Sequence, residues 1–292
     1  MYGKICIDYY DREVLIMKVD VLKYTAFPNG RNGGNKAGVV LDAGGLTDSD
    51  MQQVAKEVGF SETAFVFDSS RADFKLRYFT PTNEVDLCGH ATIAAFNALR
   101  DKKVIKKGTY TAETRVGILD IEVLKNEVYM EQLNPIYFQT IEAFEILDCF
   151  YEEHFINKEI PIRVVSTGMR EIFVPIKSVE LLHKLHPKMK NIQYLSEKYD
   201  AIGMHLYALD EDVDAYGRNF APLVGIEEES ATGTSNGALA CILNKYSSPN
   251  QTEYTLRQGY SMKMPSEIKV KLKKHKTDIL SVLVGGSAKA IR

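Results

Sequence analysis

Along most of the chain, apolar and polar residues alternate with a period of two or gather into β-branched and aromatic runs, and Gly, Pro and Asn punctuate the runs. In the first half the runs are 23–27, 38–42, 62–68, 74–80, 109–113, 117–124 and 128–133. In the second half they are 160–167, 171–176, 201–209, 216–220, 253–257, 267–273 and 281–284. Each run predicts a strand. Two segments break the pattern. From Gly89, residues Ile93, Ala94, Ala95, Phe96, Ala98 and Leu99 cover nearly every direction of a helical period, and the segment from Gly233 through Leu243 does the same. A helix that is apolar all round is buried, and at roughly ten to fourteen residues it is too short to cross a bilayer, so protein surrounds it. A third helix, amphipathic, is predicted over Asp48–Val58. Thr47 stands at its N-cap with Asp50 three residues on, Met51, Val54 and Val58 form one apolar face, and Gly59 ends it.

A short phrase recurs in front of both buried helices. Arg77-x-Phe79-x-Pro81 leads after seven residues into Gly89, and Arg218-x-Phe220-x-Pro222 leads after ten into Gly233. A repeat on this scale predicts two related halves, each with strands, a loop and a helix start. The expected fold is α+β: two pseudo-symmetric lobes, each a curved, mostly antiparallel sheet or barrel wrapped round one central helix. The lobes are placed at 18–134 and 135–280, with the strand in 281–292 free to return to the first. The plainer alternative is a single α+β domain with two core helices.

The helix starts carry the first chemical implication. Unpaired N–H groups and the positive end of the backbone dipole attract carboxylates and enolate-like oxygens. Two such ends at one cleft make a receptor for a carboxylate substrate, whereas capped ends would serve stability alone. Glu62 opens a strongly apolar strand, where a carboxylate is either partly buried with a raised pKa or paired with a neighbour. In either setting it is a candidate proton carrier. His90 lies in the first turn of its helix, where positive backbone charge favours neutral imidazole. Glu228 and Glu229 precede the second helix, as dipole-stabilised surface acids or as a second site carboxylate.

With 292 residues, 45% of them hydrophobic, and a net charge of −3, the chain has ample core and no basic field for nucleic acid or membrane. The basic stretch 269–276 alternates with apolar residues, as a solvated edge strand does. No apolar stretch or cleavage pattern occurs in 1–18, and the four cysteines, Cys6, Cys88, Cys149 and Cys241, form no paired motif. A cytoplasmic protein without disulfides or zinc is expected. His183 and His186 lack a completing ligand and are expected to be surface histidines.

Four segments together resemble one family. They are Ala26-Phe27 to Gly34-Asn35 with Ala37-Gly38-Val39-Val40, Ser61-Glu62-Thr63-Ala64-Phe65-Val66, Arg77 to Pro81 running on through Glu84-Val85-Asp86-Leu87-Cys88-Gly89-His90-Ala91-Thr92, and the stretch 218–239. They resemble the PhzF-like isomerases, named for a phenazine-biosynthesis enzyme and related in fold to diaminopimelate epimerase. The resemblance implies a cleft between two lobes, no cofactor or metal, a small-molecule carboxylate substrate and a homodimer. It implies Glu62 and His90 as catalytic residues. Asn35, Ser61, Gly89, Glu229, Gly233 and Thr234 are the expected substrate-binding residues. The chain departs from the family pattern at Lys36, where the family writes Pro, and at Glu229, Ser230 and Asn236, where it writes Asp, Pro and His. These departures point to a substrate other than the phenazine precursor, chosen by loops such as 29–36 and 211–217.

Three functions compete. In the first, Glu62 moves a proton within a small carboxylate, with no cofactor. In the second, Cys88 acts as one base of a thiol epimerase or racemase, although Ala231 and Thr232 occupy the place where a second thiol is needed. In the third, a non-catalytic relative keeps the fold and binds a small anion.

Overall fold

The computed structural model describes the backbone of residues 5–7 and residues 19–291. The rest of segment 1–18, with the lobe boundary at 18, lies outside the described residues. The chain forms two compact units, Met1–Pro28 with Asn35–Met130 and Gly285–Arg292, and Asn29–Gly34 with Glu131–Val284.

The first unit contains β1 (Ile5–Ile7), β2 (Val19–Ala26), β3 (Asn35–Val40), α1 (Asp48–Val58), β4 (Glu62–Phe67), β5 (Phe74–Phe79), β6 (Glu84–Val85), α2 (Gly89–Asp101), β7 (Gly108–Thr114) and β8 (Gly117–Val123), and it ends in β9 (Val128–Gln132), whose last two residues belong to the second unit. The second unit runs through β10 (Ile136–Thr140), α3 (Ala143–Leu147), β11 (Arg163–Ser166), β12 (Arg170–Ile176), α4 (Val179–Lys184), α5 (Met189–Lys198), β13 (Met204–Leu209), β14 (Ala215–Ala221), a 3-10 turn (Pro222–Val224), β15 (Ile226–Glu229), α6 (Gly233–Tyr246), β16 (Glu253–Gln258) and β17 (Ser266–His275). β18 (Asp278–Gly286) carries residues of both units, and β19 (Ala288–Ala290) belongs to the first.

The repeat is visible in the pairing rules of each unit taken alone. In the first, β3 pairs parallel with β4, β4 antiparallel with β5, β5 antiparallel with β6 and parallel with β7. In the second, β12 pairs parallel with β13, β13 antiparallel with β14, β14 antiparallel with β15 and parallel with β16. A helix fills the same place in both series, α2 before β7 and α6 before β16. The longer second linker accommodates the 3-10 turn at Pro222–Val224, which Gly225 closes at φ 79°.

Burial explains both central helices. Every residue from His90 to Leu99 is buried, and α2 packs against β2, β3, β4, β8 and β19. In α6 the buried residues include Ala238, Leu239, Ala240, Cys241, Ile242 and Leu243, and the helix packs against β11 and β17. Each unit has a further core. In the first, α1 lays Met51, Val54, Ala55 and Val58 against Val40, Phe65 and Phe79, and Phe65 meets Phe79 edge-on at 5.5 Å. In the second, Leu182 of α4 and Ile192 and Leu195 of α5 cover Ile172, Val174, Leu206 and Phe220. The capping box of α1 forms as expected: Asp50 N donates to Thr47 Oγ1 at 3.2 Å and Thr47 N donates to Asp50 Oδ2 at 2.8 Å. Gly59 then ends the helix at φ 66°.

The loop Asn29–Gly34 leaves the first unit between two of its strands and is built into the second. Asn29 N and Gly34 N both donate to Pro265 O, at 3.0 and 3.2 Å, and Ser230 Oγ donates to Gly34 O at 3.1 Å. A Cβ on Gly33 would stand 1.9 Å from Pro265 O, so only glycine permits the approach. Of the loops expected to choose substrate, 29–36 thus gives its last two residues to β3, and 211–217 its last three to β14.

Candidate active site

In the first unit the parallel register that sets Ala37 beside Glu62 brings the starts of β3 and β4 together, and α2 begins at the same end. Glu62 Oε2 stands 3.2 Å from His90 Nε2. Asn35 Nδ2 lies 3.3 Å from His90 Nδ1, and Ser61 Oγ 3.4 Å from His90 Nε2. Cys88, at the N-cap position, places Sγ 3.4 Å from His90 Nδ1 and 3.9 Å from Nε2. The Cys88 side chain makes no regular capping hydrogen bond at the start of α2. The helix is fastened one turn in, where Thr92 Oγ1 donates to Cys88 O at 2.7 Å and meets Tyr78 Oη at 2.6 Å. A carboxylate, an imidazole and a thiol are therefore gathered at one helix end.

Their electrostatics differ from the sequence expectation. Burial draws the Glu62 carboxyl upward, but the charge of His90 and the polar hydrogens of His90, Ser61 and Cys88 outweigh it and hold Glu62 below the usual carboxylate range. Of the two settings open to Glu62, the paired one is realised. Burial lowers His90, yet Cys88 and Glu62 outweigh it and carry the imidazole well above its ordinary value, so the neutral His90 expected from the helix dipole gives way to an ion pair. The full negative charge of Glu62, 3.2 Å away, exceeds the half-charge of a helix end. The Cys88 thiol is pushed up to about 11, first by burial and then by Glu62.

The second unit builds its helix start from neutral groups and one carboxylate. Thr232, the N-cap residue of α6, donates from Oγ1 to Glu229 Oε2 at 2.5 Å, and its backbone N–H donates to Gln258 Oε1 at 3.2 Å. Gln258 Nε2 donates to Glu229 O at 2.7 Å and to Thr232 Oγ1 at 3.1 Å. Asn236 Nδ2 donates to Thr232 O at 2.8 Å and to Gln258 Oε1 at 2.7 Å. The Thr232 side chain does not itself cap the helix. Thr167 Oγ1 supports it by donating to Thr234 O at 3.1 Å and to Gln132 Oε1 at 2.9 Å. Behind the first turn, Asn219 Nδ2 reaches Ser235 Oγ at 3.1 Å, Glu171 Oε1 at 2.8 Å and His205 Nδ1 at 3.3 Å. Burial pushes Glu171 up and His205 down to about 3.

The family profile described as phenazine biosynthesis-like protein, PhzC-PhzF, matches residues 24–292. The chain belongs to this family. It is similar to YfhB of Bacillus subtilis, named an uncharacterized isomerase, with 32% identity over 87% of this chain and 91% of that one. It is similar to the Pseudomonas aeruginosa trans-2,3-dihydro-3-hydroxyanthranilate isomerase, with 26% identity over 88% of this chain and 91% of that one. Among solved structures, a Bacillus anthracis phenazine biosynthesis protein of the PhzF family superposes with a TM-score of 0.87 at 32% identity, covering 94% of this chain and 98% of that one. As a PhzF family member, the chain is an isomerase.

In this PhzF family member the residues expected at the site fall into two groups. Asn35, Ser61, Glu62, Gly89 and His90 come together in the first unit, and Glu229, Gly233 and Thr234 in the second. Glu228 and Glu229 separate clearly. Glu228 grips Arg218 with both oxygens, at 2.8 and 2.9 Å, as Glu84 grips Arg77 with two bonds of 2.7 Å. Each Glu stands five residues before its helix-start glycine, a spacing that marks both as scaffold. Cys88, the candidate base of the thiol alternative, faces His90. Thr232 holds its place in the repeat, directly before the glycine. Gln258 is 26 residues from Thr232 along the chain, and no local pattern announces it. His183 is half-buried rather than superficial, stacked 6.1 Å from Tyr260, while His186 is exposed and paired with Glu152 at 2.6 Å. Among the described residues, Glu62, Cys88 and His90 are the three donors whose ligand atoms lie within 4.8 Å of one another. Among the described residues no helix is long and apolar enough to cross a membrane.

Proposed function

We propose that this isomerase moves a proton within a small cyclic or amino-acid-like carboxylate, with Glu62 as the acid/base group and no cofactor in the step. The observation that carries the reading is the Glu62 and His90 pair, 3.2 Å apart, at an α2 start where the Cys88 side chain makes no regular capping hydrogen bond. Glu62 takes a proton from carbon next to the carboxylate, and negative charge develops on oxygen. The N–H groups of the first turn of α2, together with the His90 ring, supply the hydrogen bonds that this charge needs. Glu62 then returns the proton to another carbon on the same face. An anionic substrate drawn to His90 competes with Glu62 for its charge, which frees the carboxylate to act as a base when substrate is present. Asn35 and Ser61 hold the imidazole ring, and Glu229 and Thr234 orient polar groups of the substrate.

The test is a Glu62→Gln enzyme assayed against a panel of cyclic amino and keto acids. Ligand binding is retained while kcat falls by about 10³, within the range for loss of a positioned general base. Retention of most activity would remove Glu62 from the mechanism. A second reading rests on the Cys88 Sγ contact with His90 at 3.4 Å, which makes the thiol a candidate base. It predicts the opposite pair of results, an inactive Cys88→Ser enzyme and an active Glu62→Gln enzyme.

A further inference from the structure

We propose that Glu62, Cys88 and His90 form a binding site for a thiophilic divalent cation of the zinc type, and that occupation of this site switches the isomerase off. The binding claim stands on geometry alone. The switching claim rests also on the role given to Glu62 above. An ion bound tetrahedrally, with bonds of about 2.0 Å to nitrogen and oxygen and about 2.3 Å to sulfur, holds its ligands roughly 3.3–3.6 Å apart. Here Oε2 of Glu62 and Nε2 of His90 are separated by 3.2 Å, and Sγ of Cys88 lies 3.9 Å from the same nitrogen. The Cys88 sulfur needs to approach that nitrogen by a few tenths of an ångström, and all three ligand atoms already lie within 4.8 Å of one another.

Three further features favour a cation. Cys88 and His90 are 8% and 4% exposed, so the ion would be held in a setting that strengthens its attraction to the ligands. Glu62 Oε2 is itself buried and 3.2 Å from His90 Nε2, so a carboxylate oxygen stands beside the imidazole nitrogen that would face the ion. Asn35 Nδ2 lies 3.3 Å from His90 Nδ1, so rotation of that amide lets its oxygen accept from Nδ1–H while Nε2 faces the ion. The mix of thiolate, imidazole and carboxylate suits Zn²⁺ and not Mg²⁺. On binding, the S–H bond of Cys88 breaks, an S–metal bond forms, and the thiol proton passes to buffer with any proton on Nε2. The fourth position stays open. The ion thereby takes the carboxylate oxygen that the isomerase needs as its base.

The test uses the full chain and the metal alone. Co²⁺ added to the purified protein gives a thiolate-to-cobalt charge-transfer band that saturates at one ion per chain, and Zn²⁺ abolishes it while millimolar Mg²⁺ does not. Cys88→Ser removes the band and lowers Zn²⁺ affinity at least about 100-fold by equilibrium dialysis. Asn35→Ala lowers that affinity about 10-fold, as loss of an outer hydrogen bond does. Cys149→Ser and Cys241→Ser leave the band intact, and circular dichroism and melting confirm that each variant folds. Absence of a thiolate band in the wild type, or Zn²⁺ binding that Cys88→Ser leaves unchanged, overturns the site. Stoichiometric Zn²⁺ binding with full turnover overturns the switch and leaves the site standing.

Discussion

The two helix starts share a scaffold and differ in chemistry. At each, an arginine two residues before a phenylalanine is held by a bidentate glutamate and lies over the ring, at 5.2 Å for Arg77 and Phe79 and 5.0 Å for Arg218 and Phe220. At each, the side chain three residues after the glycine bonds back to the carbonyl just before it, Thr92 to Cys88 and Asn236 to Thr232. The chemistry on that scaffold is not shared. The first start carries Glu62, His90 and Cys88, three titratable groups. In the second, threonine, glutamine and asparagine surround the single carboxylate of Glu229. The repeat has kept the part that aims a helix, while the side chains around each helix start differ.

The sharpest way to break this contrast is to neutralise one carboxylate from each start. Glu62→Gln should lower kcat by about 10³, whereas Glu229→Gln should act mainly on KM, by about tenfold, with kcat little changed. Steady-state kinetics on the same substrate decides it, and equal losses in kcat would mean that both starts carry protons.

The two clasps are predicted to differ in stability. Arg218 is nearly buried and also donates to the carbonyls of Leu182 and Leu185, while Arg77 is more exposed and also pairs with Asp48 at 2.7 Å. Glu228→Ala strands a buried charge and should cost about 3–5 kcal/mol. Glu84→Ala leaves Arg77 a partner and should cost about 1–2 kcal/mol. Urea unfolding of the two variants measures both, and the order of the costs is the prediction.

The smallest effect concerns the group behind the second start. Burial raises Glu171, so the folded state holds that proton more tightly than the unfolded chain does. Its contribution to stability is therefore present below the ordinary carboxylate value and is lost as pH rises through the raised one. Glu171→Gln should melt with the wild type near pH 4 and roughly 2–4 °C above it at pH 8. A variant less stable at both pH values would show that the ionised carboxylate is wanted.

Much of the fold could be read along the chain because its signals are local. The strand runs, the capping box of α1 and the two apolar helices all follow from periodicity, and α1 occupies Asp48–Val58 as expected. The short elements β6 and β15 were not legible, because Glu84 and Glu228 mark them through a distant arginine and not through a period. α5 was missed because Lys188 at its N-cap offers no capping side chain, although Ile192 and Leu195 do form a buried face. At the site, Glu62 was legible from an acid opening an apolar strand. Its ionised state was not, since His90 and Cys88 reach it across a β3, β4 and α2 junction that no sequence window contains.

The central claim is that Glu62 carries the proton, and hydrogen exchange tests it most directly. In D₂O, the wild-type enzyme should place deuterium on carbon of a bound carboxylate that it turns over, and Glu62→Gln should bind the same compound without exchange. Exchange that persists in Glu62→Gln and disappears in Cys88→Ser would contradict the account and assign the proton to sulfur.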